Sequence, residues 1–298
     1  MRKQSTFQKI IAGVFLLALL VAMLPVTSVN AASKPKALPS VSGKSNKIVK
    51  IDMTGNGKKN TVKLITTPDP ADDFFTHSFK ITVDGKTALS MKNIDKYDVL
   101  DIAPYYMKLD KNNILLQITF TTYNDYLSYN KIYRYNKKTG KLDAIKSLND
   151  GMSREVISYT EDSITIYNSY QSSLTGWGNW KYTYKYSGGT MKLKSRTADY
   201  KCGIGYSQSG DGYDEYFKKG QYLPSRDLTF YTTKECTEEA FTAHDGDILT
   251  VKRIYTNKYS DLRYSFVNSE GVEGWIKVPV DEYDVTSWFY GVINRMAG

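Results

Sequence analysis

The sequence predicts a mainly β chain, and three observations carry that reading. Of 298 residues, 25 are tyrosine, and Tyr, Val, Ile and Thr together suit a pleated, half-buried surface. Apolar and polar residues alternate in short segments separated by clusters of Gly, Asn and Asp. A short pattern also repeats: "IYRYNKKTGKL" from Ile132 and "TYKYSGGTMKL" from Thr183 agree at Tyr133 and Tyr184, Tyr135 and Tyr186, Thr139 and Thr190, Lys141 and Lys192, and Leu142 and Leu193. A looser copy, "ITVDGKT" from Ile81, lies about one period earlier. Recurrence near 50 residues marks a stacked unit, but three units are too few for a closed propeller of about four to eight blades. The expected architecture is a repeated β-hairpin domain, open propeller-like or an antiparallel sheet assembly, followed by a small β-barrel and a short C-terminal helix.

In chain order, residues 1–31 read as a secretory signal peptide. Arg2, Lys3 and Lys9 precede an apolar run from Ile10 to Leu24, and small residues follow at Ala31 and Ala32. The run falls short of the roughly 20 apolar residues a membrane anchor needs. Secretion, with extracellular or cell-wall association and no stable membrane insertion after signal cleavage, is the expectation, and the combination suits a Gram-positive-type bacterium. Residues 32–46, "ASKPKALPSVSGKSN", carry Pro, Ser, Gly and Lys and read as a linker. The β-repeat domain is expected over 47–197, each repeat copy being preceded by a further strand: "TVKLIT" from Thr61, "ILLQITF" from Ile114 and "SITIYNSY" from Ser163.

Charge divides the chain. Between Ala32 and Gln221 there are 29 Lys and Arg against 19 Asp and Glu, whereas between Tyr222 and Val285 there are 7 against 12. The basic portion is suited to an anionic surface polymer, within a screening length of about 8 Å at physiological salt. Nucleic acid is not expected, because no basic helix or recognition motif is present.

The stretch "IDMTGNGKKNTVKLI", Ile51–Ile65, spaces Asp52, Thr54, Asn56 and Asn60 like oxygen ligands around Gly55 and Gly57. Over these residues it resembles the loops of FG-GAP and VCBS-type repeats and of dockerin-like calcium loops. The resemblance implies calcium held by Asp52, Thr54, Asn56, Asn60 and the carbonyl of Lys58. Against it, Asp52 is the single carboxylate, Lys63 stands where a bidentate acid is needed, and Lys58 and Lys59 add positive charge. Weak calcium binding and a glycine-assisted turn are therefore both open, with no other cofactor expected.

Residues 198–222, rich in Gly, Ser and Tyr, read as a connecting segment. Beyond it, Leu262, Tyr264 and Phe266 alternate on one face, "NSEG" turns the chain, and Trp275, Ile276 and Val278 return. Together with the strand at Leu228–Tyr231, "HDGDILTV" and "EGWIKV", residues 223–285 resemble a bacterial SH3-like (SH3b) domain. That resemblance implies retention in the cell wall and offers Tyr231, Tyr264 and Trp275 as ligand contacts. In 286–298, Trp288, Phe289, Val292 and Met296 fall at helical spacing, giving the expected C-terminal helix.

No zinc motif, nucleophile elbow or phosphate loop occurs. The two cysteines, Cys202 and Cys236, suit a disulfide outside the cell, worth about 3 to 4 kcal/mol in the chain-entropy model, with reduced thiols as the alternative. "LTGWGNWKYTY" presents Trp177 and Trp180 as rings for a sugar, or else as core. The sequence thus suggests a non-catalytic secreted protein that binds a cell-wall polymer or an extracellular protein partner. A wall or glycan hydrolase with an unidentified carboxylate pair, and an adhesin or host-directed effector, are the alternatives.

Overall fold

The computed structural model describes residues 31–122, 127–202, 212–257, 261–279 and 287–292. Residues 1–30, within the segment expected to be a signal peptide, lie outside them. The fold is mainly β, and Ala32–Gly298 forms one compact unit.

Twelve strands fall into three antiparallel four-strand meanders. The first comprises β2 (Ser45–Ile51), β3 (Asn60–Pro68), β4 (Thr76–Val83) and β5 (Lys86–Lys92). The second comprises β6 (Asp101–Lys108), β7 (Ile114–Thr121), β8 (Leu127–Asn136) and β9 (Lys141–Ser147), with the short β1 (Lys36–Ala37) along β6. The third comprises β10 (Ser153–Tyr159), β11 (Ser163–Ser172), β12 (Gly176–Ser187) and β13 (Thr190–Leu193). The repeated motif is the last hairpin of each meander. Asp84 and Gly85 turn the first with φ of 46° and 83°, and Gly188 and Gly189 turn the third with 58° and 83°, the left-handed pair a two-residue hairpin needs. The repeating unit is thus four strands, not two, and β9 contacts both β5 and β13.

Two joints fasten the meanders. At the first, the loop after β2 lies against the β6–β7 turn so closely that a Cβ on Gly55 would sit 1.8 Å from the Lys111 carbonyl oxygen. The Tyr106 hydroxyl there donates to the Asp52 carbonyl at 2.8 Å. At the second, the buried Gln117 amide donates to the Asn130 side chain and the Arg154 carbonyl, both at 2.8 Å, and accepts from the Val156 N–H at 2.9 Å. Buried polar groups satisfied in this way fix one register, because any slip leaves them unpaired.

The remaining strands are β14 (Thr197–Cys202), β15 (Gln221–Tyr222), β16 (Leu228–Tyr231), β17 (Glu239–Ala243), β18 (Leu249–Thr256), β19 (Leu262–Val267) and β20 (Glu273–Lys277), with one short helix, α1 (Asp214–Lys218). They continue the third meander as a sheet of 11 strands, nine in the order β10-β11-β12-β14-β18-β19-β20-β16-β17, with β13 paired to β12 and β15 to β18 off that path. The small barrel expected from the sequence does not close. Its β18 edge is taken by β14 and β15, so β17 remains an edge.

The segments expected to be spacers also contribute structure. Within 32–46, Leu38 and Val41 are buried in the first core, and β14 and β15 lie within the 198–222 region. Of the C-terminal helix expected over 286–298, residues 287–292 are described, and they form a bridge and turns: Phe289 pairs with Pro224, and the Tyr290 N–H donates to the Leu223 carbonyl. Phe289 and Val292 are buried as the helical pattern required, but in a tight turn. No helix among the described residues is long and apolar enough to cross a membrane.

A basic cleft at the seam between β12 and β14

Strand alternation divides β12. Trp180, Tyr182, Tyr184 and Tyr186 are buried on one face, and Asn179, Lys181 and Thr183 stand on the other with the half-buried Trp177. Gly178 sits among the inward positions because Tyr200 crosses the strand there. A Cβ on Gly178 would meet the Tyr200 hydroxyl at 1.7 Å, and that hydroxyl bonds Thr175 Oγ1 at 2.9 Å.

β14 follows β12 only briefly. It pairs Cys202, Lys201 and Tyr200 with Gly178, Asn179 and Trp180, and pairs Thr197, Ala198 and Asp199 with β18 instead. The chain rejoins β12 where the Lys194 N–H donates to the Thr183 carbonyl at 2.9 Å. The seam therefore splays over Lys181–Thr183 and opens a cleft of about 600 Å³, floored by Trp180 and Tyr182 and rimmed by Lys181, Lys194, Lys201, Arg253 and Asp199.

Four cations surround one carboxylate. Arg253 is held by Glu273, whose Oε1 accepts from Nε at 2.9 Å and Nη2 at 2.6 Å. Its guanidinium also lies 5.4 Å from the centre of the Trp275 ring. Burial opposes the Glu273 charge, but hydrogen bonds from Ser265 and Arg253 outweigh it and hold the carboxyl below its usual range. Lys181, Lys194 and Lys201 are exposed and form no ion pair among the described residues. Beneath the floor, burial pushes the Tyr182 hydroxyl well above its ordinary pKa, so it remains a donor to the Arg196 carbonyl at 2.8 Å.

The aromatic residues singled out from sequence are scattered by the fold. Trp180 reaches the cleft, but as a floor residue 2% exposed and packed on Tyr182 and Tyr200. Trp275 is buried beneath Arg253, so it positions a rim cation. Tyr264, 1% exposed, packs edge-on against Tyr200 in the core. Tyr231 lines a separate hollow of about 380 Å³ with Asp227, Cys236 and Trp288. The lysines were missed; their signal was the alternation in "NWKYTYK" and the basic run "KLKSR" next to it.

The Asp52 loop is closed on itself. Asp52 Oδ1 accepts from the Asn56 N–H at 3.2 Å, Oδ2 from the Gly57 N–H at 2.9 Å, and Lys108 Nζ lies 2.7 Å from Oδ2. Asn60 Oδ1 accepts from the Met53 and Thr54 N–H groups, and Asn56 Oδ1 from the Lys58 N–H. The Asp52, Asn56 and Asn60 oxygens are thus engaged by N–H donors and an ammonium from the next meander is the counter-charge, whereas Thr54 Oγ1 is buried without a hydrogen-bond partner among the described residues.

Cys202 and Cys236 are not joined. Three strands, β18, β19 and β20, lie between β14 and β16 in the sheet, and a disulfide requires Cα atoms within about 7 Å. Cys202 accepts from the Tyr222 hydroxyl at 3.2 Å, and burial raises the Cys236 thiol above its usual pKa despite nearby Arg263 and Lys277. His244 bonds Asp227 at 2.9 Å at the base of the β16–β17 hairpin, whereas Cys236 lies near its tip, about 13 Å away by strand rise. Cysteine and histidine are therefore not brought together. Among the described residues, Asp199, Asp227 and Asp150 are the single carboxylates lining the cleft, the Tyr231 hollow and a third cavity beside Tyr184, respectively.

No protein-family model, curated protein or solved structure matches the chain.

Proposed function

We propose that this is a secreted, non-catalytic surface protein that binds an anionic cell-wall polymer in the basic cleft, with the SH3-like region around β16–β20 contributing to retention in the wall. The observation that carries this reading is the rim of Lys181, Lys194 and Lys201, three exposed ammonium groups without ion-pair partners among the described residues, around an open seam. A polymer of repeating phosphates, such as a teichoic acid, offers several charges to them at once. Each exposed pair contributes about 0.2–1 kcal/mol, so affinity depends on several acting together.

Co-sedimentation with purified wall sacculi tests this. The protein is expected to pellet with sacculi carrying teichoic acid, to be released by high salt, and to stay in solution when the polymer has been stripped. Replacing Lys181, Lys194 and Lys201 together by Ala is expected to weaken binding about tenfold or more, the equivalent of roughly 1.4 kcal/mol. Equal pelleting by the triple variant would place the binding elsewhere, and no pelleting by any form would end the wall-polymer reading.

A further inference from the structure

On the first meander, remote in sequence from the cleft, three side chains with metal-ligand chemistry converge. Asp69 follows β3, His77 is the second residue of β4, and Asp95 opens the 3-10 turn Asp95–Tyr97 after β5. One donor atom from each lies within 4.8 Å of the others. The backbone fixes all three positions. The Asp69 N–H donates to the Phe75 carbonyl at 2.8 Å, and the Ile94 N–H donates to the His77 carbonyl at 3.0 Å. Asp98, in the left-handed region with φ of 50°, closes the 3-10 turn through its N–H to the Asp95 carbonyl at 2.7 Å.

The donor atoms themselves are incompletely satisfied. His77 Nδ1 and Asp95 Oδ1 lie 2.9 Å apart, an ion pair when the imidazole is protonated, but without hydrogen-bond alignment, on side chains 33% and 31% exposed. Each atom is buried from solvent with no hydrogen-bond partner. A neutral imidazole leaves both atoms without a partner, which a shared cation would supply. Asp69 Oδ1 accepts from the Ala71 N–H at 2.9 Å, which orients that carboxylate. Carboxylates at Asp72, Asp73 and Asp98 stand near in sequence and make this corner acidic within a basic region.

We infer that Asp69, His77 and Asp95 form a divalent transition-metal site, best matched to zinc. An imidazole with two carboxylates suits zinc and its neighbours rather than calcium or magnesium, which prefer all-oxygen shells. Metal–ligand bonds near 2.0–2.1 Å place tetrahedral ligand atoms about 3.3 Å apart. Seating the ion therefore widens the His77–Asp95 approach by a few tenths of an ångström and draws Asp69 inward. A fourth position is left for water or a partner's side chain. Such an ion would tie the β3–β4 connection to the β5–β6 turn across the end of the meander.

The test is titration of zinc chloride into the chain beginning at Ala32, followed by calorimetry and by thermal unfolding. One ion per chain is expected, with a rise in Tm, and calcium chloride is expected to produce neither. His77→Gln and Asp95→Asn should abolish uptake. His244→Gln, which alters the other histidine, should leave it unchanged. Should either His77→Gln or Asp95→Asn fold poorly, Asp69→Asn, in the β3–β4 connection, carries the decision through a weakened affinity with an unchanged metal-free Tm. Absence of saturable uptake, or uptake that survives His77→Gln or disappears with His244→Gln, overturns the assignment.

Discussion

A carboxylate in a turn needs donors or a cation, and Asp52 has both in Lys108 and the N–H groups of Asn56 and Gly57. Burial works against its charge, but the Lys108 hydrogen bond and the Gly57 N–H outweigh that and lower its pKa. Because the folded value lies below the unfolded one, this stabilisation is complete above the unfolded pKa, about 3.9, and is lost as pH falls through the folded value. Thermal unfolding between about pH 6 and pH 2 should therefore fall less steeply for Asp52→Asn than for the parent chain. Lys108→Met is expected to cost about 1 kcal/mol at neutral pH. Millimolar calcium should leave Tm unchanged in every form. The sequence showed the lone carboxylate and the flanking lysines of this loop. It could not name the substitute cation, because Lys108 lies 56 positions away and meets Asp52 only when two meanders pack.

At the scale of elements, the repeat was legible because hairpin chemistry is local. Asp84-Gly85 and Gly188-Gly189 declare their turns in adjacent residues, and Tyr182, Tyr184 and Tyr186 declare an inward face by alternation. The cleft was not legible in this way. It exists because β14 leaves one neighbour for another, and nothing in "SRTADYKC" alone fixes that change. Gly178 marks the crossing. Gly178→Ala should force Tyr200 from its bond to Thr175 and destabilise the fold by about 1–3 kcal/mol, measurable as a lower denaturant midpoint. Gly55→Ala faces backbone rather than a movable side chain, and it adds a left-handed φ of 69°. It is expected to cost at least as much, through the joint between the first two meanders.

For the whole molecule, the sign change in charge near Tyr222 suggested separate domains, yet hydrogen bonding continues through β12, β14 and β18. One apolar cluster runs from Met107 and Ile132 through Trp180 and Tyr200 to Tyr264, Phe266 and Phe289. Charge is a surface property and carries no information about which strands share a core, which is why the composition boundary and the packing differ. Residues 107–292 should accordingly unfold together: near-ultraviolet dichroism and tryptophan fluorescence are expected to give coincident transitions. A fragment starting at Tyr222, deprived of β14, should remain unfolded. Alkylation of the unfolded chain without prior reduction should modify both Cys202 and Cys236.

Open sheets also leave unpaired rims, where a foreign strand can add itself. Here β2 carries Lys47 and Lys50, β5 carries Lys86 and Lys92, β1 carries Lys36, and β9 carries Lys141 and Lys146. Every outer strand of the first two sheets is thus lysine-bearing, and repulsion between two such rims, together with the hydration of their ammonium groups, discourages edge-to-edge stacking of neighbouring copies. These edge lysines thereby act as a safeguard against self-assembly at high local concentration, a requirement that any protein gathered densely on a polymer would face.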